Sequence, residues 1–190
     1  MHIILAPVPE NLTRAIEPYR AAYDPMAKII FPHITIIKPF LYSGSTEELY
    51  EHLREVGEAH APIKVSLAGW DTEEQVPYQL RLPLIAGQLE FINLRDHLLT
   101  GPLQYLSASQ PDYQPAITFG RFSTIEELKQ AKTDLKSFEA NFIFRVIQLE
   151  LLEWDNDPDH SWELQKRFGL EATLLGPRRR SITPQIKGSR

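Results

Sequence analysis

The chain has 190 residues, 43% of them hydrophobic, a formal net charge of −5 and no cysteine. That length fits one domain or two small halves sharing a core, and zero cysteines exclude a disulfide framework, a thiolate metal site and a cysteine nucleophile. No apolar run reaches the ~20 residues of a membrane span, and the uncharged, short apolar start Met1-His2-Ile3-Ile4-Leu5-Ala6 does not read as a signal peptide, so a soluble, cytoplasmic protein is expected.

Residues 2–7 predict a strand, and 11–23 a helix in which Pro18 removes one hydrogen bond. Phe31-Pro32-His33-Ile34-Thr35-Ile36-Ile37-Lys38 predicts a strand over 31–38, stopped by Pro39. Alternation and a rise of ~3.3 Å per residue put His33 and Thr35 on one face, side chains roughly 7 Å apart, where the pair could span one phosphate. Ile34 and Ile36 then point into a core.

Ser45-Thr46-Glu47-Glu48 has the pattern of a capping box, and Leu49, Leu53 and Val56 behind it predict a helix over 46–60. Strands over 62–70 and 76–84 follow, hairpinned through Asp71-Thr72-Glu73-Glu74. Gln79 and Arg81 share the less apolar face of the second, which either lines a cleft or faces solvent. Phe91, Leu94, Leu98 and Leu99 predict a helix over 88–100.

The next strand, 114–121, is Gln114-Pro115-Ala116-Ile117-Thr118-Phe119-Gly120-Arg121 after Tyr113. It repeats the first: Pro, then x-Ile-Thr, an apolar residue and a base within three positions, with Ala116 in the place of His33. A second capping box is read at Ser123-Thr124-Ile125-Glu126, with Leu128, Ala131 and Leu135 behind it. A long strand at 142–153 and a last one near 160–168 complete the body.

Spacing supports a duplication. His33 precedes Trp70-Asp71 by 37 residues and Ala116 precedes Trp154-Asp155 by 38; Glu47-Glu48-Leu49 is echoed by Glu126-Glu127-Leu128. The order helix, motif strand, helix, strand, strand occurs twice. The expected fold is α+β: two similar lobes over about 2–85 and 86–170, each an antiparallel sheet with outer helices, the motif strands meeting across a central cleft with His33 facing position 116. They form one domain, 1–176, followed by a basic tail, 177–190.

Arg178, Arg179, Arg180, Lys187 and Arg190 all follow the last acidic residue, Glu171, leaving a body with 15 basic and 25 acidic side chains. An acidic body disfavours a long polyanion, so a small nucleotide or an RNA end is the expected partner, bound by a monomer. The tail is read as a solvated terminus or as a segment touching RNA or closing over the cleft.

Pro32-His33-Ile34-Thr35 and Pro115-Ala116-Ile117-Thr118-Phe119-Gly120-Arg121 resemble the two signature strands of the two-histidine phosphoesterase superfamily, the family of 2'-5' RNA ligases and cyclic nucleotide phosphodiesterases. The resemblance spans about residues 2–170 and implies one histidine and one Thr or Ser per half around a phosphodiester. One histidine acts as general base, the other as general acid, and the hydroxyls hold non-bridging oxygens. Imidazole titrates near neutral pH, so such a pair can hold opposite protonation states, and no cofactor or metal is implied. Carried over, His33 is the first histidine, Thr35 and Thr118 are the hydroxyls, and Ala116 stands where the second histidine belongs.

A methyl group moves no proton, so the implied two-histidine mechanism is broken at position 116. Three explanations stand open: a substitution introduced to trap a bound molecule, a natural loss leaving a nucleotide-binding fold without turnover, or another group in the role. Among the other histidines, His52, His60, His97 and His160 are read as surface residues and His2 as the more open case. Arg121 and Lys38 are candidate phosphate contacts, with Arg81 as a further cleft residue, although plain alternation puts Lys38 and Arg121 on the face opposite His33 and Thr118 unless a bend at Pro39 or Gly120 redirects them. Trp70 and Trp154 either stack bases or belong to the core. An enzyme, a nucleotide-binding module and a scaffold for protein partners are the functions compatible with the sequence.

Overall fold

β1 (His2–Pro7) is apolar on both faces, Ile3 and Leu5 on one side and Ile4 and Ala6 on the other, because it runs through the middle of a sheet covered on both sides. Its neighbours are β2 (His33–Phe40) and β8 (Gln148–Glu153), and β9 (Glu163–Gly169) completes the antiparallel order β2-β1-β8-β9. The second sheet holds β4 (Asp71–Glu73), β5 (Tyr78–Ala86), β3 (Ile63–Ala68) and β7 (Asn141–Val146), with β6 (Ala116–Phe122) also paired to β5. The computed structural model describes residues 1–109, 113–157 and 159–172; the expected basic tail lies outside the described residues.

The fold is the expected α+β arrangement of two antiparallel sheets with helices around them. Each sheet nevertheless draws on both halves of the sequence. β8 and β9 join β1 and β2, while β3, β4 and β5 sit with β6 and β7. The duplicated units thus exchange strands: β3, which ends just before Trp70, lies in the sheet of β6, and β8, which ends just before Trp154, lies in the sheet of β2. The division of the sheets therefore does not fall at residue 85.

Several boundaries differ from expectation for identifiable reasons. The apolar run 142–153 is two strands in two sheets, β7 and β8, broken at Ile147. β2 continues through Pro39 to Phe40, which an edge strand tolerates since its outward N–H has no ladder partner to lose. The 71–74 stretch is itself mostly strand, β4, so the turn into β5 falls at 74–77.

α1 (Glu10–Tyr23) runs unbroken past Pro18 and buries Leu12, Ile16 and Arg20. It is followed by a 3-10 turn, Pro25–Lys28, capped by the Asp24 side chain, which accepts from Met26 N. α2 (Thr46–Ala59) buries the predicted Leu49, Leu53 and Val56 stripe, with Ser45 Oγ accepting from Glu48 N. The reciprocal half of that box is absent: Glu48 takes the Tyr42 hydroxyl, while Ser45 donates to Glu47. α3 (Gln88–Leu98) starts from Gly87, whose φ of 97° is open to glycine at little cost. α4 (Ile125–Asp134) carries a complete capping box one residue later than read from the sequence, Thr124 with Glu127.

One large core joins the inner faces of both sheets to α1, α2, α3 and α4, and Ile3, Leu5, Ile30, Leu152 and Trp162 form a smaller cluster on the outer face of the β1 sheet. Both tryptophans of the repeat are half-buried, Trp70 packed against the main core and Trp154 against Trp162. Among the described residues no helix is long and apolar enough to cross a membrane.

Candidate functional site

β2 and β6 lie against each other where the two sheets meet. Tyr113, just ahead of β6, donates its hydroxyl to the Thr35 carbonyl of β2 at 3.0 Å, tying the segment before one motif strand to the other. His33, Thr35, Ala116 and Thr118 are all half-buried, while Ile34, Ile36, Ile117 and Phe119 between and beside them are in the core. The four motif positions are thus on cleft-facing sides of adjoining strands.

His33 is held at both ring nitrogens. Nδ1 lies 2.7 Å from the Phe31 carbonyl oxygen, which can only accept, so Nδ1 carries the proton of the neutral ring. Nε2 is then unprotonated and accepts from the Thr35 hydroxyl at 3.0 Å. Burial lowers the His33 pKa to about 4, and the cations of Arg121 and Arg20 push the same way against the Phe31 carbonyl and Asp24. The ring is a neutral base at any pH near 7, its lone pair turned to the motif hydroxyl.

Arg121 does not point away from the site. Along the β5–β6 ladder Leu80 pairs with Gly120 but Arg81 with Thr118, so Phe119 is an extra residue, a β-bulge, and both Phe119 and Gly120 are buried. The bulge resets the alternation and returns Arg121 to the Thr118 face. β2 does the same: Ile4 pairs with Ile37 and Leu5 with Thr35, leaving Ile36 as the extra residue and turning Lys38 to the Thr35 face. The opposite-face expectation fails for both because two-residue alternation assumes an unbroken ladder.

A network that the sequence does not announce fixes Arg121. The Asp24 carboxylate, with no side-chain exposure, lies 2.5 Å from Arg121 Nη1 and 3.2 Å from Arg20 Nε, and accepts from Met26 N at 3.0 Å. Arg20, equally buried, donates through Nη2 to the Ile30 carbonyl at 2.7 Å. The sequence signal here is indirect: Arg20 follows Leu12 and Ile16 at helical spacing, and an Asp-Pro pair stands at the end of α1.

Arg81 is in the cleft but its charge is taken up. Its guanidinium donates to both Asp71 oxygens, at 3.0 and 3.2 Å, and to Glu73 at 2.8 Å. Two carboxylates around one guanidinium leave this corner negative. Beside it, Thr118 donates to Gln79 Oε1 at 3.0 Å.

The other histidines are placed elsewhere. His2 pairs with Phe40 at the end of the β1–β2 ladder opposite His33. His52 is bonded to the Leu98 carbonyl, His60 and His97 face each other at 3.1 Å, and His160 is held by Asp155. None of them reaches position 116. Among the described residues no group of three or more His, Asp or Glu side chains is set to hold a metal ion.

Residues 8–158 match the model of a family described as the 2'-5' RNA ligase superfamily. Comparison by sequence with curated proteins gives no match. Among solved structures, E. coli LigT complexed with 3'-AMP superposes with a TM-score of 0.62 at 16% identity, covering 90% of this chain and 98% of that one. A phosphoesterase gives 0.61 at 16%, over 90% and 98%. The protein TT0787 of Thermus thermophilus gives 0.60 at 18%, over 90% and 97%. At such identities the likeness is one of fold.

Proposed function

The chain belongs to the 2'-5' RNA ligase superfamily, and from that premise we propose that its cleft binds small RNA-type phosphodiesters, such as 2',3'-cyclic phosphates or 2'-5' linkages, with His33 as the single general base. The observation that carries this is the fixed tautomer of His33: Nδ1–H committed to the Phe31 carbonyl, Nε2 free of a proton beside Thr35. Thr35 and Thr118 supply short hydroxyls that donate to the non-bridging oxygens once a ligand replaces their present acceptors, His33 Nε2 and Gln79 Oε1, and Arg121 and Lys38 supply charge. E. coli LigT structures are complexed with 3'-AMP, ATP and NADP+, which is in keeping with a small nucleotide as ligand here.

In hydrolysis a water oxygen attacks phosphorus, its proton passes to His33 Nε2, and the bond to the leaving ribose oxygen breaks. That oxygen needs a proton, and Ala116 has none to give; solvent must supply it. A lost general acid lowers rate by ~10²–10⁴, so turnover is slow and binding outlasts chemistry. The second reading, a nucleotide-binding module without turnover, follows from the same residue.

The test restores the acid. Ala116→His should raise hydrolysis of nucleoside 2',3'-cyclic phosphates by ~10²–10⁴, and adding His33→Ala should abolish the gain. Measurable binding with no turnover by either form would leave the binding-module reading standing; no turnover and no nucleotide binding by either form would sink both.

A further inference from the structure

Next to Ala116 the molecule keeps a pocket of about 310 Å³, bordered by Asp71, Arg81, Pro83, Gln88, Ile92 and the Tyr113–Ala116 segment. Pro83 pairs with Ala116 and Arg81 with Thr118 in the β5–β6 ladder, so the pocket continues directly from the motif positions. It is the space beside which the resembling family sets an imidazole. We propose that in this chain it is a recognition pocket for a nucleobase carrying an exocyclic amine; the proposal rests on the nucleotide-binding reading above and deepens it.

Size is the first argument. The volume lies at the lower end of the ~300–1,000 Å³ of small-molecule sites, enough for one planar heterocycle. The lining suits a flat, weakly polar ring: Pro83, Ile92, Pro115 and Ala116 are apolar, and Tyr113 adds an aromatic wall. That wall is rigid, since its hydroxyl is bonded to Thr35 and the Arg95 guanidinium lies 5.0 Å from its ring centre.

Charge is the second. At the Arg81 rim the carboxylates of Asp71 and Glu73 exceed the guanidinium by one negative charge, and Arg95 lies behind the Tyr113 ring, so this rim is less favourable to a phosphate than the His33 end. Nearest His33 the excess is positive, Arg121 and Arg20 against Asp24, while the half-exposed Glu17, 3.9 Å from Arg20, is not among the ring's own charge partners. A nucleotide entering the cleft therefore has one orientation, phosphate toward His33 and base toward Ala116.

Unfilled hydrogen-bond capacity is the third. Asp71 accepts from Arg81 at both oxygens, yet a carboxylate has about four acceptor positions, and its side chain is only partly covered. Gln88 donates one N–H to the Leu84 carbonyl and keeps its oxygen. The pocket rim is thus richer in acceptors than donors, the complement of an amine on adenine, cytosine or guanine.

Calorimetry on the full chain with three ligands tests this: adenosine 3'-phosphate, purine riboside 3'-phosphate, which lacks the amine, and ribose 3-phosphate, which lacks the base. Adenosine 3'-phosphate should bind at least 10-fold tighter than ribose 3-phosphate and at least threefold tighter than the purine riboside. Ile92→Trp, filling the pocket from α3, should erase the preference while ribose 3-phosphate affinity stays within about twofold; Gln88→Trp, on the exposed first turn, is the second variant should the first not fold. Equal affinity for base-bearing and base-free ligands overturns the pocket and leaves phosphate binding intact. Binding of none of the three overturns the pocket and the nucleotide reading together.

Discussion

Arg121 of the second motif strand and Asp24 at the end of α1, 97 residues apart in sequence, meet in a 2.5 Å ion pair whose carboxylate is wholly shielded from water. One carboxylate thereby fixes two guanidinium groups, that of Arg20 inside the protein and that of Arg121 at the cleft. The position of the Arg121 guanidinium at the cleft is thus set by the fold itself.

Removing that carboxylate strands two cations in a poorly hydrated place. Breaking a buried pair from one side costs about 3–5 kcal/mol, so Asp24→Ala should lower unfolding free energy by that order in urea titrations. A loss below about 1 kcal/mol would show that the pair contributes little. Asp24→Asn, which keeps the acceptor for Met26, should lose less.

Arg121 and Arg81 should behave differently although both are read from the sequence as candidate substrate-binding residues. Arg121→Met should weaken binding of a nucleoside 3'-phosphate at least tenfold. Arg81→Met should change it by less than about threefold, because two carboxylates, Asp71 and Glu73, surround that one guanidinium, whereas Arg121 shares the single Asp24 carboxylate with Arg20. Comparable losses on titration calorimetry would mean the Arg81 cluster opens to take phosphate.

Much of the arrangement was readable from the chain because it rests on local rules. The Ile–Thr alternation located His33, Thr35, Ala116 and Thr118, and periodicity located the stripe of α2. What escaped depends on partners far away. Whether 142–153 is one strand or two is decided by which sheet accepts each piece. Which face Arg121 takes is decided by an extra residue in a ladder with β5, and Arg20 looks like a solvated base until Asp24 and the Ile30 carbonyl are seen around it.

Gly120 belongs to that bulge for a packing reason. A β-carbon there would stand 3.0 Å from Leu80 Cδ1 and 3.2 Å from the Phe122 ring. Gly120→Val should therefore cost ~1–3 kcal/mol, the range for overfilled cores, and should weaken phosphate binding beyond what Arg121→Met leaves to lose only if the whole strand shifts. The double variant Gly120→Val with Arg121→Met separates the two: binding equal to that of Arg121→Met alone places the effect of Gly120 in the aim of Arg121.

His33 should titrate far below an ordinary histidine. Its folded pKa of about 4 lies under the ~6.5 of an unfolded chain, so between those values the unfolded state binds the extra proton. The contribution of neutral His33 to stability is complete above about pH 6.5 and is lost progressively as pH falls toward 4. Base-dependent turnover in the Ala116→His form should likewise show no loss attributable to His33 between pH 7 and 5, and fall only near 4. Nitrogen-resolved NMR at pH 5.5 checks the premise directly. His33 should be neutral with its proton on Nδ1, while His160, whose pKa is raised by its bond to Asp155, should be cationic. A His33 midpoint at 6 or above would show that the cleft hydrates the ring.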